Sequence, residues 1–138
     1  MYTDYESAID SVDTFAPYKK GSIISQGNEV IVPASGETAE EIARASAVRN
    51  SGIILGGDLN IIRPYANVNP VFLALAISTG FPCKELARRA QGKTIVHIHN
   101  ADIQSISISI PLLEEQKRIA NVFLKFDSLL ALHQREWF

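Results

Sequence analysis

The stretch from Ala90 to Phe123, AQGKTIVHIHNADIQSISISIPLLEEQKRIANVF, changes its hydrophobic period part-way along and so decides what kind of fold the chain builds. Apolar and polar residues alternate in KTIVHIH, Lys93 to His99, and in SISISI, Ser105 to Ile110; a period of two predicts two strands. In the first, alternation sends His97 and His99 to one face and Val96 and Ile98 to the other. Pro111 ends this pattern, and no glycine or proline follows. Ile119, Val122, Phe126 and Leu129 then recur at spacings of three and four, a heptad-like seam with Phe123, Leu130 and Trp137 beside it. A helix of about 25 residues there would run about 38 Å at 1.5 Å per residue. That is more than a small domain can cover, so the expectation is a protruding helix that needs a partner helix. The fold class expected is α/β (α+β): a small mixed domain over residues 1–111, then a long coiled-coil helix over 112–138.

The upstream pattern fits that class. GSIISQGNEVIVPA, Gly21 to Ala34, has β-branched runs broken by glycine and proline, which predicts two short strands and a turn. Thr38 followed by Glu41 is a capping-box pattern opening a helix whose inner stripe is Ile42, Ala45 and Val48. SGIILGGDLNIIRP, Ser51 to Pro64, places two apolar strands around Gly56-Gly57-Asp58 and predicts a hairpin. Asn69-Pro70 reads as an N-cap and first helical residue before VFLALAIST. A further helix over 82–90 should carry Lys84, Arg88 and Arg89 on its outside.

With 138 residues the chain can bury one hydrophobic core and is too short for two ordinary domains. Its apolar runs are too short and interrupted for a transmembrane helix, and MYTDYESAID is no signal peptide, so a cytoplasmic protein is expected. The single cysteine, Cys83, excludes an internal disulfide and a thiolate zinc site. The net charge of −2 argues at first against a phosphate-bearing partner. Its distribution argues otherwise. Residues 44–100 carry Arg44, Arg49, Arg63, Lys84, Arg88, Arg89 and Lys93 against Asp58 and Glu85 alone, a balance of +5. Gathered on one surface, these cations would make a basic face on an acidic chain.

Several chemistries are refused. Gly92-Lys93-Thr94 lacks the earlier glycine of a phosphate loop, and it follows a helix and enters a strand, the reverse of what that loop needs. NPVF, Asn69 to Phe72, approaches the Asn-Pro-Pro-aromatic signature of amino-methyltransferases, but valine replaces the second proline and a helix start explains every residue. No glycine-elbow serine accompanies the histidines. His97 and His99 on one strand face suit polar surface histidines, an anionic ligand or, with Asp58 or Asp102 reaching in, a metal. SGET, Ser35 to Thr38, reads as a turn with a cap or as a ligand-facing loop.

Taken in order and at their separations, VPASGETAEEIARASAV (residues 32–48), GGDLNIIRP (56–64) and AQGKTIVHIHNADIQSISISIPLLEEQKRIANVF (90–123) resemble the DNA-specificity subunit of type I restriction-modification enzymes. The run ending in IPLLEEQKRIA is the most specific part. The resemblance implies a non-catalytic target-recognition domain that reads one half of a split site in double-stranded DNA. A helix after it would pair in an antiparallel coiled coil and set the gap between halves. The implied partners are methyltransferase subunits, which use S-adenosylmethionine, and through them the restriction subunit; no cofactor or metal of its own is expected. On this reading Ser35, Glu37, Thr38, Arg63, Arg88, Arg89, Gln91, Gly92, Lys93, Thr94, His97 and His99 face DNA, with Lys93 on phosphate and Gly92 allowing close backbone approach. Ile119, Val122, Phe126 and Leu129 form the helix interface. The chain holds one such domain and one such helix, about half of what the family uses. A half-subunit that homodimerises through its helix is therefore expected; the alternative is a truncated fragment that binds restriction-modification subunits without reading DNA.

Overall fold

The computed structural model describes residues 6–137, with side-chain surroundings through Arg135. The fold is mixed α/β, in the α+β sense. In chain order it runs β1 (Ala8–Ile9), β2 (Ile23–Gln26), β3 (Glu29–Pro33), β4 (Ser35–Gly36), α1 (Ala39–Ile42), β5 (Ser46–Val48), β6 (Ser51–Leu55) and β7 (Leu59–Ile62). The second half runs α2 (Pro70–Ser78), α3 (Gly80–Arg89), β8 (Val96–His97), α4 (Asn100–Ser105) and α5 (Leu113–Trp137).

The β3 strand is the centre. All five of its residues, EVIVP, are buried, so it needs a layer on each face. It lies in a sheet of order β1-β5-β3-β7, antiparallel to β5 and β7, with β1 parallel to β5. Val30 and Val32 join the main core with Val71, Ala74 and Ile77 of α2 and Leu86 of α3. Ile31 joins a second cluster with Val48 and Leu55, under the β2-β6 ribbon. The result is a helical layer, a sheet and a ribbon.

The predicted hairpin around Gly56-Gly57-Asp58 does not form. Both strands exist, but β6 pairs with β2 and β7 with β3. A buried strand must satisfy its backbone groups on both edges, and β7 serves the edge of β3 that β5 leaves open. Neither Gly56 nor Gly57 adopts a positive φ. SISISI is not a strand either. Its first serine ends α4, and Ile106 and Ile108 face the core while Ser107 and Ser109 face solvent. The alternation is real, but no strand among the described residues is hydrogen-bonded to it. KTIVHIH shortens to the two-residue β8 because Lys93, Thr94 and Ile95 are spent on the loop that returns the chain from Gln91 to His97. The helix opened by Thr38 ends at Ile42, so that Ala45 and Val48 are buried beyond it, Val48 in β5.

Two caps stand where the sequence puts them. Thr38 Oγ1 accepts from Glu41 N at 3.2 Å, and Asn69 Oδ1 accepts from Phe72 N at 2.9 Å, with Pro70 in the first turn. NPVF is thus a helix start.

The long helix has two apolar lines. Gln116, Ala120 and Leu124, four residues apart, turn inward, and Ala120 belongs to the main core. Val122, Phe126 and Leu129 keep 54%, 61% and 63% of their surface exposed, while Ile119 is half-buried. The first turns therefore belong to the globule and the seam stands clear of it; the side chain of Trp137 lies outside the described surroundings. The accessible surface is 9542 Å², against about 7100 Å² for a compact monomer of this mass.

Candidate nucleic-acid interface

Backbone pairing at one end of the sheet lines up four chain segments. Gln91 and His97 exchange both hydrogen bonds, at 3.1 and 2.8 Å, closing a tight loop over residues 92–96. On its other edge β8 pairs with β4, Ser35 opposite His97 and Gly36 opposite Val96. Ile98 N donates to Ala34 O at 2.9 Å, and Ala34 N donates to Asp58 O at 3.1 Å. The order across the surface is Gln91, His97, Ser35, Asp58, three strand spacings or about 14 Å.

Exposure follows the predicted alternation. His97 and His99 are exposed and their rings stack, with centroids 6.4 Å apart and planes 6° from parallel, while Ile98 between them is fully buried. Below them the Asn60 amide donates to Ile98 O at 2.8 Å and ties β7 to the segment that carries both histidines. Lys93, Thr94 and Ile95 form the exposed tip of the loop. Gly92 makes that tip possible. Its φ is +141°, and a Cβ there would lie 1.9 Å from Ile95 O, so any side chain would force the loop open. The close approach it permits within the fold is that of the chain to itself.

Other predicted residues are distributed around this row. Glu37 and Thr38 continue from β4 and are exposed, although the Thr38 oxygen is engaged as a cap. Arg88 and Arg89 end α3, three and two residues before Gln91. Arg88 is exposed and pairs with Glu85 at 2.6 Å, an ion pair of little net worth that leaves the guanidinium accessible. Arg89 is half-buried, with an Nε that has no hydrogen-bond partner among the described residues. Arg63 is not brought here. It follows β7 at the far end, 3.8 Å from Glu29, about 17 Å along the strand from Asp58.

The expected single basic face is therefore divided. Lys84, Arg88, Arg89 and Lys93 lie on α3 and the loop after it. Arg49, paired with Asp10 at 3.3 Å, and Arg63 lie at the Glu29 end. The reason is the antiparallel register, which carries residues just outside β5 and β7 to the end of β3 away from Ser35.

The metal reading loses its extra ligands. The Asp58 carboxylate accepts from Ser35 Oγ, and the Asp102 carboxylate accepts from His99 N at 2.8 Å as it caps α4. Among the described residues no group of three or more histidine, cysteine, aspartate or glutamate side chains is placed to hold a metal ion.

Residues 3–136 match the family model of the type I restriction modification DNA specificity domain. The chain belongs to that family. No curated protein sequence matches it. As a specificity domain it is a recognition module for DNA within type I restriction-modification, and among its described residues no helix is long and apolar enough to cross a membrane. Two polar residues beside this row or supporting it were not singled out for those places in the sequence: Asp58, read as a turn residue or as a metal ligand reaching in, and Gln116, which the seam of the long helix left unremarked.

Proposed function

We propose that the row from Gln91 to Ser35, with the Lys93-Thr94 tip and Arg88 and Arg89 behind it, is the face that meets duplex DNA, reading one half of a split target. Lys93 and Arg88 contact phosphate; Gln91, Thr94, His97, His99, Ser35 and Glu37 lie closest to base edges. The observation that carries this reading is the continuous strip of polar side chains, exposed at Gln91 and His97 and half-buried at Ser35, fixed by backbone hydrogen bonds. Residues 1–111 act as the recognition unit, in the cytoplasm where the DNA is. Residues 112–138 act as the spacer, with Ile119, Val122, Phe126 and Leu129 seated against a second helix. The subunit adds no chemistry of its own and docks methyltransferase subunits, which bring S-adenosylmethionine, and through them the restriction subunit.

Salt titration of binding to duplex DNA tests the face. Lys93→Ala is expected to reduce the slope of log K against log salt by about 0.9, the value of one phosphate contact. Arg63→Ala, at the far end of the sheet, is expected to leave the slope unchanged. Equal effects of both substitutions would count against the assigned face.

The helix is tested by size. The exposed seam favours a homodimer through α5, and sedimentation at micromolar concentration is expected to give a dimer that Phe126→Glu with Leu129→Glu converts to monomer. A monomeric parent chain that fails to bind any duplex but is captured by methyltransferase subunits would instead fit the interaction-fragment reading.

A further inference from the structure

Asp58 stands at the end of the row opposite Lys93, and it is a carboxylate in a place where phosphate contact would be repelled. Its position is fixed twice. Ser35 Oγ donates to Oδ2 at 2.5 Å, and Ala34 N donates to the Asp58 backbone oxygen at 3.1 Å. The residue is exposed, and Ser35 is the side chain among the described residues that donates to it, at Oδ2, which leaves Oδ1 with acceptor capacity for an outside donor. The turn leading to it is bare. Gly56 and Gly57 precede it, neither has a positive φ, and a Cβ at either would meet nothing within 4 Å. Nothing inside the fold requires glycine at these two positions; their effect is on the outside, where they leave the turn without side chains beside Asp58.

A fixed carboxylate can only accept. The donors that duplex DNA presents in its major groove are the N4 amine of cytosine and the N6 amine of adenine, and the minor groove adds only the N2 amine of guanine. Three strand spacings of about 4.8 Å match about four base pairs at 3.4 Å, so Asp58 and Gln91 fall within one half-site. Building on the DNA reading proposed above, we infer that Asp58, held by Ser35, is a specificity-determining residue that accepts a hydrogen bond from the exocyclic amine of one cytosine or adenine in the major groove. It selects sequence and contributes nothing to the salt-dependent grip, which Lys93 and Arg88 supply.

The experiment is selection by the full chain from a pool of duplexes with a randomised 20-bp segment, followed by sequencing of the bound fraction and salt titration on the winning duplex. The unsubstituted chain is expected to enrich a motif with cytosine or adenine at the position in question. Asp58→Ala is expected to lower the preference at that position about 10-fold, the scale of one good base contact. The other positions and the salt slope should stay unchanged. Ser35→Ala is expected to blur the same position more weakly, and Asp58→Asn serves where alanine impairs folding. Variants that enrich the same motif with the same preferences overturn the inference and leave the DNA reading standing. Tighter binding to every duplex with a steeper salt slope also overturns it, since Asp58 would then be a repelling charge only. Absence of any enrichment by the unsubstituted chain removes the DNA reading and this inference with it.

Discussion

Gln116→Ala is expected to cost about 3 kcal/mol of folding stability, the largest loss foreseen for any polar side chain of α5. Gln116 is 1% exposed, and its amide makes three hydrogen bonds to backbone. Nε2 donates to Asn67 O at 3.1 Å and to Pro111 O at 2.9 Å, and Oε1 accepts from Asn69 N at 2.8 Å. One side chain thus ties the start of the long helix to the turn that opens α2. Alanine leaves all three backbone groups without partners in a place where water enters poorly. A loss of this size corresponds to a fall of about 10 °C in melting temperature for a domain of this length. Gln116→Glu should fare no better, because a carboxylate can accept from Asn69 N but is repelled by the two carbonyls. Thermal unfolding with hydrogen exchange at the Asn69 amide measures both. A melting temperature within about 1 °C of the parent would mean that apolar packing alone seats the helix.

Glu29→Gln is the second large effect, about 2–3 kcal/mol near neutral pH. The Glu29 side chain is fully buried, at the first residue of the central strand. Its carboxylate accepts from Gln26 N at 3.0 and 2.8 Å, Gly27 N at 3.0 Å and Asn28 N at 3.2 Å. The turn that aims these donors needs Gly27 at φ +101°. Burial raises the pKa of this carboxyl, but the converging N–H groups outweigh burial and hold it below the ordinary glutamate value. Glutamine has the same shape, yet it must point an N–H₂ at N–H donors. A depressed carboxyl pKa stabilises the fold above the pKa of the unfolded chain, and the contribution is lost as pH falls through the folded value. The stability gap between parent and variant should therefore narrow on acidification below the ordinary glutamate range, as followed by urea unfolding at a series of pH values. A gap independent of pH would show that shape, and not charge, is what the turn requires.

These two residues mark the limit of what the chain reveals before it folds. Local signals were legible: the Asn69 and Thr38 caps, the switch to helix after Pro111, and the face shared by His97 and His99 all depend on near neighbours in sequence. Pairing was not. The runs on either side of Gly56-Gly57-Asp58 look like a hairpin because nothing local says that β2 and β3 compete for them. SISISI keeps its alternation and lacks only a neighbour. Polar residues were the hardest to read. Glu29 counts as one more carboxylate of an acidic chain until the turn before it closes on its side chain, and Asp58 as a turn residue or a metal ligand reaching in until Ser35 is brought to it. Gln116 did leave a trace, since it lies four residues before Ala120 and eight before Leu124 on the inner line of α5. The reading of that helix stopped at its outer seam, which alone has the heptad spacing.

The joint made by Gln116 is electrically neutral throughout. Screening by ions weakens contacts between full charges over a Debye length of about 8 Å at physiological salt, but it has little purchase on buried amide-to-backbone hydrogen bonds. Conditions that switch the grip on nucleic acid on or off would thus leave the rod attached to its globule at an unaltered angle. Charge-dependent contact with DNA and the seating of α5 on its globule are therefore expected to respond to different conditions.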